Sequence, residues 1–207
     1  DLCSQFPGLL HARVLRSPHA HARIASLDIS RAEKLPGMKG VVTGKDCPER
    51  VSWIAPRILA LDEVIWAGQG VAAVAADTPE IAEEALELIS VEYEPLPAVL
   101  ASEEARKANP PVVVDRELGR YRGSPQFSPE APNITGHCKL RAGDIEKGFA
   151  QADVVLENRF STSRVSHSQL ERACCIVRAE PDGGITMWTN GQGVHVIKGL
   201  LCDLFQM

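Results

Sequence analysis

Residues 58–97, ILALDEVIWAGQGVAAVAADTPEIAEEALELISVEYEPLP, constrain the fold more than any other stretch of the chain. Their apolar spacing changes period, which predicts strand, glycine turn, strand, helix and strand in succession. Val64, Ile65 and Trp66 form a short apolar run that ends at Gly68-Gln69-Gly70. Residues 71–76 form a second run, closed by Asp77-Thr78-Pro79. Pro79 suits the first turn of a helix, where its missing N–H costs nothing, and Thr78 can cap the free amides. Ile81, Ala85, Leu88 and Ile89 share one face of that helix, with Glu80, Glu83, Glu84 and Glu87 directed elsewhere. Residues 91–94 return as a strand, stopped by Pro95 and Pro97.

Gly68-x-Gly70-x-x-Ala73 also fits the dinucleotide fingerprint, with Glu87 near the place of its ribose-binding acid. That fingerprint works only if the second glycine opens a helix whose N-terminus holds the pyrophosphate. Seven residues separate Gly70 from Thr78, and the helix beyond them has its own start signal. The glycines therefore read as a hairpin turn between two strands, with NAD or FAD binding as the alternative.

The totals narrow the function classes. A net charge of -5 over 207 residues argues against nucleic acid as a partner, since phosphate binding needs a basic face. No apolar run approaches the ~20 residues of a membrane span, and no basic-then-apolar signal opens the chain, so no membrane is expected either. Cys3, Cys47, Cys138, Cys174, Cys175 and Cys202 contain no C-x-x-C, which removes zinc-ribbon and iron–sulfur spacings. Reduced, mostly buried thiols in a cytoplasmic protein are expected. His19 and His21 would share a face of a strand, but without a third ligand nearby no metal site is assigned.

Along the rest of the chain, strands are expected over 9–16, 21–29 and 40–43. A Ser30/Glu33 capping box should start the short helix 31–35, and Pro36-Gly37 ends it. Residues 45–57 read as a loop and 102–107 as a short helix. Prolines, glycines and serines then dominate 109–132, an extended linker in which a domain boundary is placed. Beyond it, Asp144 caps a helix weakened by Gly148, and strands follow over 154–160 and 170–179. Pro181-Asp182-Gly183-Gly184 turns the chain back into a strand over 185–189. Thr189 or Asn190 is expected to cap a last helix with a broad apolar face: Val194, Ile197, Leu200, Leu201, Leu204 and Phe205. That face lacks a partner layer in the sequence at hand.

In order, RSPHAHARI, LPGMKGVVTGKD, DEVIWAGQGVAAVAADT, EEALELISVEYEPLPAV, RAGDIEKGFAQADVVLENRFST and DGGITMWTNGQGVH resemble the large subunit of the molybdenum hydroxylases. That family includes the xanthine dehydrogenases, aldehyde oxidases and hydroxybenzoyl-CoA reductases. The resemblance spans nearly the whole chain apart from 109–132 and rests on the ordered series rather than on one motif. It implies an α+β fold: an α/β-hammerhead domain over 1–108, the linker 109–132, and the start of a molybdopterin-binding domain over 133–207. The implied activity is oxidation of a heterocycle, aldehyde or aromatic substrate with water-derived oxygen, at molybdenum held by molybdopterin. Iron–sulfur clusters and FAD would sit on other domains or subunits, and this chain alone would hold no cofactor and be inactive. The implied partners are the remaining molybdopterin-binding sequence, the iron–sulfur and flavin subunits and a small-molecule substrate, with a homo-oligomer also compatible. The alternative is a non-catalytic interaction or assembly module that keeps the hammerhead fold.

One residue carries over. The glutamine after TMWTNG is Gln192, which the resemblance places against the cofactor; its neutral amide can donate to a metal-oxo group. On the residues alone it is a turn or capping glutamine. No catalytic or metal-ligating residue is assigned, because the family's glycine-rich loop and its glutamate base are expected beyond Met207. Where many members have a Glu-Pro pair, this chain has Glu171-Arg172. The arginine fits an anionic substrate, a divergent member or a surface ion pair alike.

Overall fold

A computed structural model of the protein describes residues 5–47, 58–107, 133, 140–163 and 165–205. The expected 109–132 linker and most of the 45–57 loop lie outside the described residues. The architecture is α+β. Strands β1 (His11–Arg16) and β2 (Ala22–Asp28) lead into short helix α1 (Ser30–Glu33) and strand β3 (Met38–Thr43). A two-residue strand β4 (Glu63–Val64) follows, then β5 (Gly70–Ala76), helix α2 (Pro79–Leu88), β6 (Ser90–Pro95) and short helix α3 (Ser102–Ala105). Further on come helix α4 (Ile145–Gln151), strands β7 (Cys175–Ala179) and β8 (Ile185–Thr189), and helix α5 (Val194–Phe205).

Two three-stranded antiparallel sheets, ordered β1-β5-β3 and β4-β2-β6, form the first region. Strand β5 is central because its side chains are small. Ala72, Val74 and Ala76 alternate onto one face, where they meet Ala82 and Ala85 of α2, Ile89 just past its end and Ala32 of α1. Val71 points the other way and joins Ala22, Ala60 and Val64 beneath the second sheet. The helix starts as expected: Thr78 Oγ1 accepts the Ile81 N–H at 3.3 Å, with Pro79 in the first turn. On the solvent side, Arg13 donates to Glu83 at 3.2 Å, and Arg23 donates to its cross-strand partner Glu94 at 2.9 Å. Such exposed pairs contribute little individually.

Several expectations fail for local reasons. No capping box forms at α1: the Asp28 carboxylate takes the Ser30 N–H at 2.9 Å, so the nearer side chain wins. The run at 154–160 forms no strand and pairs with none among the described residues, and Leu156 and Phe160 are 82% and 89% exposed. Strand propensity without a partner edge does not make a strand. Only the second half of 170–179 pairs, as β7. The thiols are less buried than expected: Cys174 and Cys175 are exposed, and Cys47 and Cys202 half-buried.

Two substitutions test this packing. A Cβ on Gly44 would collide with Ala60 O and approach Leu61 Cα to 2.8 Å, both backbone atoms that cannot step aside. Gly44→Ala should cost about 2 kcal/mol of unfolding free energy, and Thr78→Ala about 1 kcal/mol. Urea unfolding followed by circular dichroism reads both; a Gly44→Ala chain as stable as wild type would refute the close approach.

Candidate functional site

The first glycine motif is fully engaged in the fold. Gly68, at φ +89°, donates its N–H to Ser17 O at 2.8 Å, and Ser17 N–H returns to Gln69 O at 2.8 Å. Gln69 is buried, with its side-chain oxygen accepting the Ile65 N–H at 2.8 Å. Residue 70 opens strand β5 rather than a helix, so the fingerprint lacks the helix N-terminus that would form its phosphate cradle. Gly70 serves close approach instead, since a Cβ there would sit 3.0 Å from Leu59 Cδ2, while Gly68 supplies the positive φ of the turn.

His19 and His21 also part company. The His21 ring is buried, facing Pro97 O through Nδ1 at 2.6 Å and the Glu63 carboxylate through Nε2. Both ring nitrogens are thus taken up in holding β4 and the exit from β6 together. The His19 ring lies against Tyr93, with centroids 4.9 Å apart. Among the described residues no group of three or more His, Cys, Asp or Glu side chains is placed to hold a metal ion.

Gln192 stands at the junction of β8 and α5. Strands β7 and β8 form a regular antiparallel hairpin from Cys175↔Thr189 to Ala179↔Ile185. Its turn closes with Glu180 N–H on Gly184 O at 2.8 Å, and Gly183 takes φ +86°. Trp188 is packed edge-on by Phe6, ring centroids 4.8 Å apart, with the Arg178 guanidinium 5.2 Å above its ring. Past Thr189 the chain turns through Gly191 and Gly193, the latter at φ +72°, and enters α5. Gly193 O accepts the N–H groups of Val196 and Ile197. Neither Thr189 nor Asn190 caps this helix. Both side chains turn back instead: Thr189 Oγ1 donates to Cys174 O at 3.3 Å, and Asn190 bonds the backbone of Arg172 and Cys174.

The Gln192 side chain is exposed and makes no hydrogen bond among the described residues. A neutral amide donor that is unengaged, set at the start of a twelve-residue helix, fits an anionic cofactor. The stretch 167–172 passes nearby through Asn190's contact with Arg172 O. Within it Ser168 takes φ +42°, a left-handed conformation that costs a non-glycine residue about 1 kcal/mol. The Arg172 side chain is exposed and has no ion-pair partner among the described residues. The apolar side of α5 meets β8 across a cavity of about 320 Å³ lined by Ile185, Met187, Ile197 and Leu201.

Residues 4–97 match the family described as "Aldehyde oxidase and xanthine dehydrogenase, a/b hammerhead domain", and residues 127–207 match "Molybdopterin cofactor-binding domain". The chain belongs to the molybdenum hydroxylase large-subunit family. Among its relatives is a protein of Bacillus subtilis (strain 168) named as a probable xanthine dehydrogenase subunit. The two are 38% identical over 206 residues, covering 98% of this chain and 26% of that protein. The chain is 35% identical over 191 residues to "6-hydroxypseudooxynicotine dehydrogenase complex subunit gamma" of Paenarthrobacter nicotinovorans, covering 84% and 22%. The solved structure "Reconstituted CO dehydrogenase from Oligotropha carboxidovorans" superposes with a TM-score of 0.79 at 30% identity, over 97% of this chain and 26% of that one. The chain thus spans about a quarter of the length of these molybdenum hydroxylase relatives. No helix among the described residues is long and apolar enough to cross a membrane.

The hairpin that carries Gln192 is tuned by charge. The Thr186 hydroxyl, donating at 2.6 Å, and then Arg178, at 2.9 Å, hold the Glu180 carboxyl below the usual glutamate range. A carboxyl depressed in the folded state stabilises above its unfolded pKa, and that stabilisation is lost as pH falls through the folded value. Amide protection factors over 175–189 should therefore be lower in Glu180→Gln than in wild type at neutral pH. The difference should close in acid; a gap that stays constant with pH would remove the charge from the account.

Proposed function

We propose that this chain is the N-terminal portion of the molybdenum-binding subunit of a hydroxylase or dehydrogenase. The complete enzyme would oxidise a heterocycle, aldehyde or aromatic substrate, with iron–sulfur and flavin partners receiving the electrons. The observation that carries the reading is the ordered match of two successive family segments, together with a relative named as a probable xanthine dehydrogenase subunit. In this reading residues 1–108 are the hammerhead domain, 109–132 the linker and 133–207 the opening of the cofactor-binding domain. The four free cysteines among the described residues favour a reducing, cytoplasmic setting.

When bound, the molybdenum–pterin group would supply two-electron oxidation with oxygen drawn from water. Gln192 would face it and donate an amide N–H without adding charge. The remaining molybdopterin-binding sequence would cover the apolar side chains that stand open here: Val154, Leu156, Phe160, Val165 and Leu170, all at least 74% exposed. A second reading, the non-catalytic module, draws on the same exposed surface, since a partner protein could cover it.

Metal analysis separates the two readings. The purified 207-residue chain should carry far less than stoichiometric molybdenum, and near-stoichiometric metal would contradict its role as a partial site. In the complete subunit, Gln192→Ala should lower turnover about a hundredfold with little effect on folding. A complete subunit that never loads molybdenum would instead establish the module.

A further inference from the structure

We propose that Asn190 is a positioning residue for Gln192: its side chain adds a rung to the β7–β8 ladder and so fixes where the chain leaves β8. The inference rests on the cofactor-facing reading of Gln192 given above. The last backbone pair of the hairpin is Cys175↔Thr189. Past it, a continuing strand would offer one donor and one acceptor to the neighbouring edge. The backbone instead departs toward α5, and the Asn190 amide supplies both groups. Its Nδ2 donates to Arg172 O at 2.9 Å, and its Oδ1 accepts the Cys174 N–H at 3.2 Å. The amide's orientation follows from chemistry, since a carbonyl only accepts and a peptide N–H only donates.

No other small side chain does this. Aspartate can accept from Cys174 but cannot donate to Arg172 O, and serine carries a single oxygen. Thr189 adds a second brace, its Oγ1 donating to Cys174 O and accepting the Gly191 N–H at 3.2 Å. Between brace and helix the path is narrow. A Cβ on Gly191 would lie 2.8 Å from Ile197 Cδ1, and Gly193 requires its positive φ. Gln192 is therefore presented by backbone on both sides, with its own side chain left unengaged. The same amide ties the Gln192 turn to the 167–172 stretch through Arg172 O, so the two segments share one anchor.

The test uses the complete subunit, cofactor-free and loaded, with Asn190→Ala, Asn190→Asp, Gln192→Ala and the Asn190/Gln192 double alanine variant. In the cofactor-free protein, hydrogen exchange over 190–193 and at the Cys174 amide should quicken about tenfold in Asn190→Ala and less in Asn190→Asp, which keeps one of the two bonds. In the loaded protein, the rate of molybdenum loss on dialysis should rise about tenfold in Asn190→Ala. That factor should shrink to about one when Gln192 is already alanine, because a residue acting through another has no effect in its absence. Equal factors in both backgrounds, or unchanged exchange over 190–193, would overturn the proposal. If Gln192→Ala alone leaves molybdenum loss unchanged, the cofactor reading of Gln192 fails, and the exchange result by itself upholds or overturns the rung.

Discussion

Close approach between strand β5 and helix α2 is the constraint on which the first region depends. Ala72 and Ala76 on the strand face Ala82 and Ala85 on the helix, all fully buried, so backbone meets backbone with methyl groups between. Larger side chains at these positions would push the layers apart, and interiors this dense do not absorb such volume. The tight seat of the helix in turn sets the flanking strands: β1 and β3 pair with β5 on either edge, and Val71 hands the core over to the second sheet. The glycine turn before β5 belongs to the same arrangement. It had to be compact enough for Ser17 to accept from the Gly68 N–H and donate to Gln69 O, which is why its glycines resemble a phosphate loop without being one.

The features legible in the sequence are those whose causes are local. The Thr78-Pro79 start of α2, the Asp144 cap of α4 and the Pro181–Gly184 turn each depend on residues within a few positions, and all stand in the structure. Failures occur where the deciding partner is distant or merely nearer than the one considered. Asp28 displaces the Ser30/Glu33 box by reaching the same amide first. The 154–160 run has the composition of a strand, but a strand is completed by another segment's edge, and no spacing rule reveals which segment that is. Asn190 reads as a cap because asparagine caps often; its actual partners lie 16 and 18 residues back. Gln192 is singled out only through family resemblance, for nothing in an isolated glutamine distinguishes a cofactor contact from a turn.

The two regions differ in how far they satisfy themselves. The hammerhead closes its own core, and among the described residues its buried polar side chains are paired, as His21 shows by using both ring nitrogens. The region beyond 140 holds a well-formed hairpin and a long helix, yet most of its apolar surface is open, and α5 buries Leu204 alone. Chemistry in this family depends on that second region. The chain therefore pairs a closed first region with a second whose apolar side chains stand open, and Gln192 lies in that second region.

The edge-on contact between Phe6 and Trp188 has a bearing on how such a chain comes together. Phe6 precedes the hammerhead strands in the chain, so a ribosome releases it before them, whereas Trp188 emerges well after them. The hammerhead sheets and α2 draw on residues made much earlier, and domains tend to fold as units in the order they are synthesised. The N-terminal arm would thus wait, unseated, while the sheets assemble beside it. Closing so long a loop carries an entropic cost that grows slowly with length, but it cannot be met early. A segment synthesised ahead of the sheets would be among the last to dock.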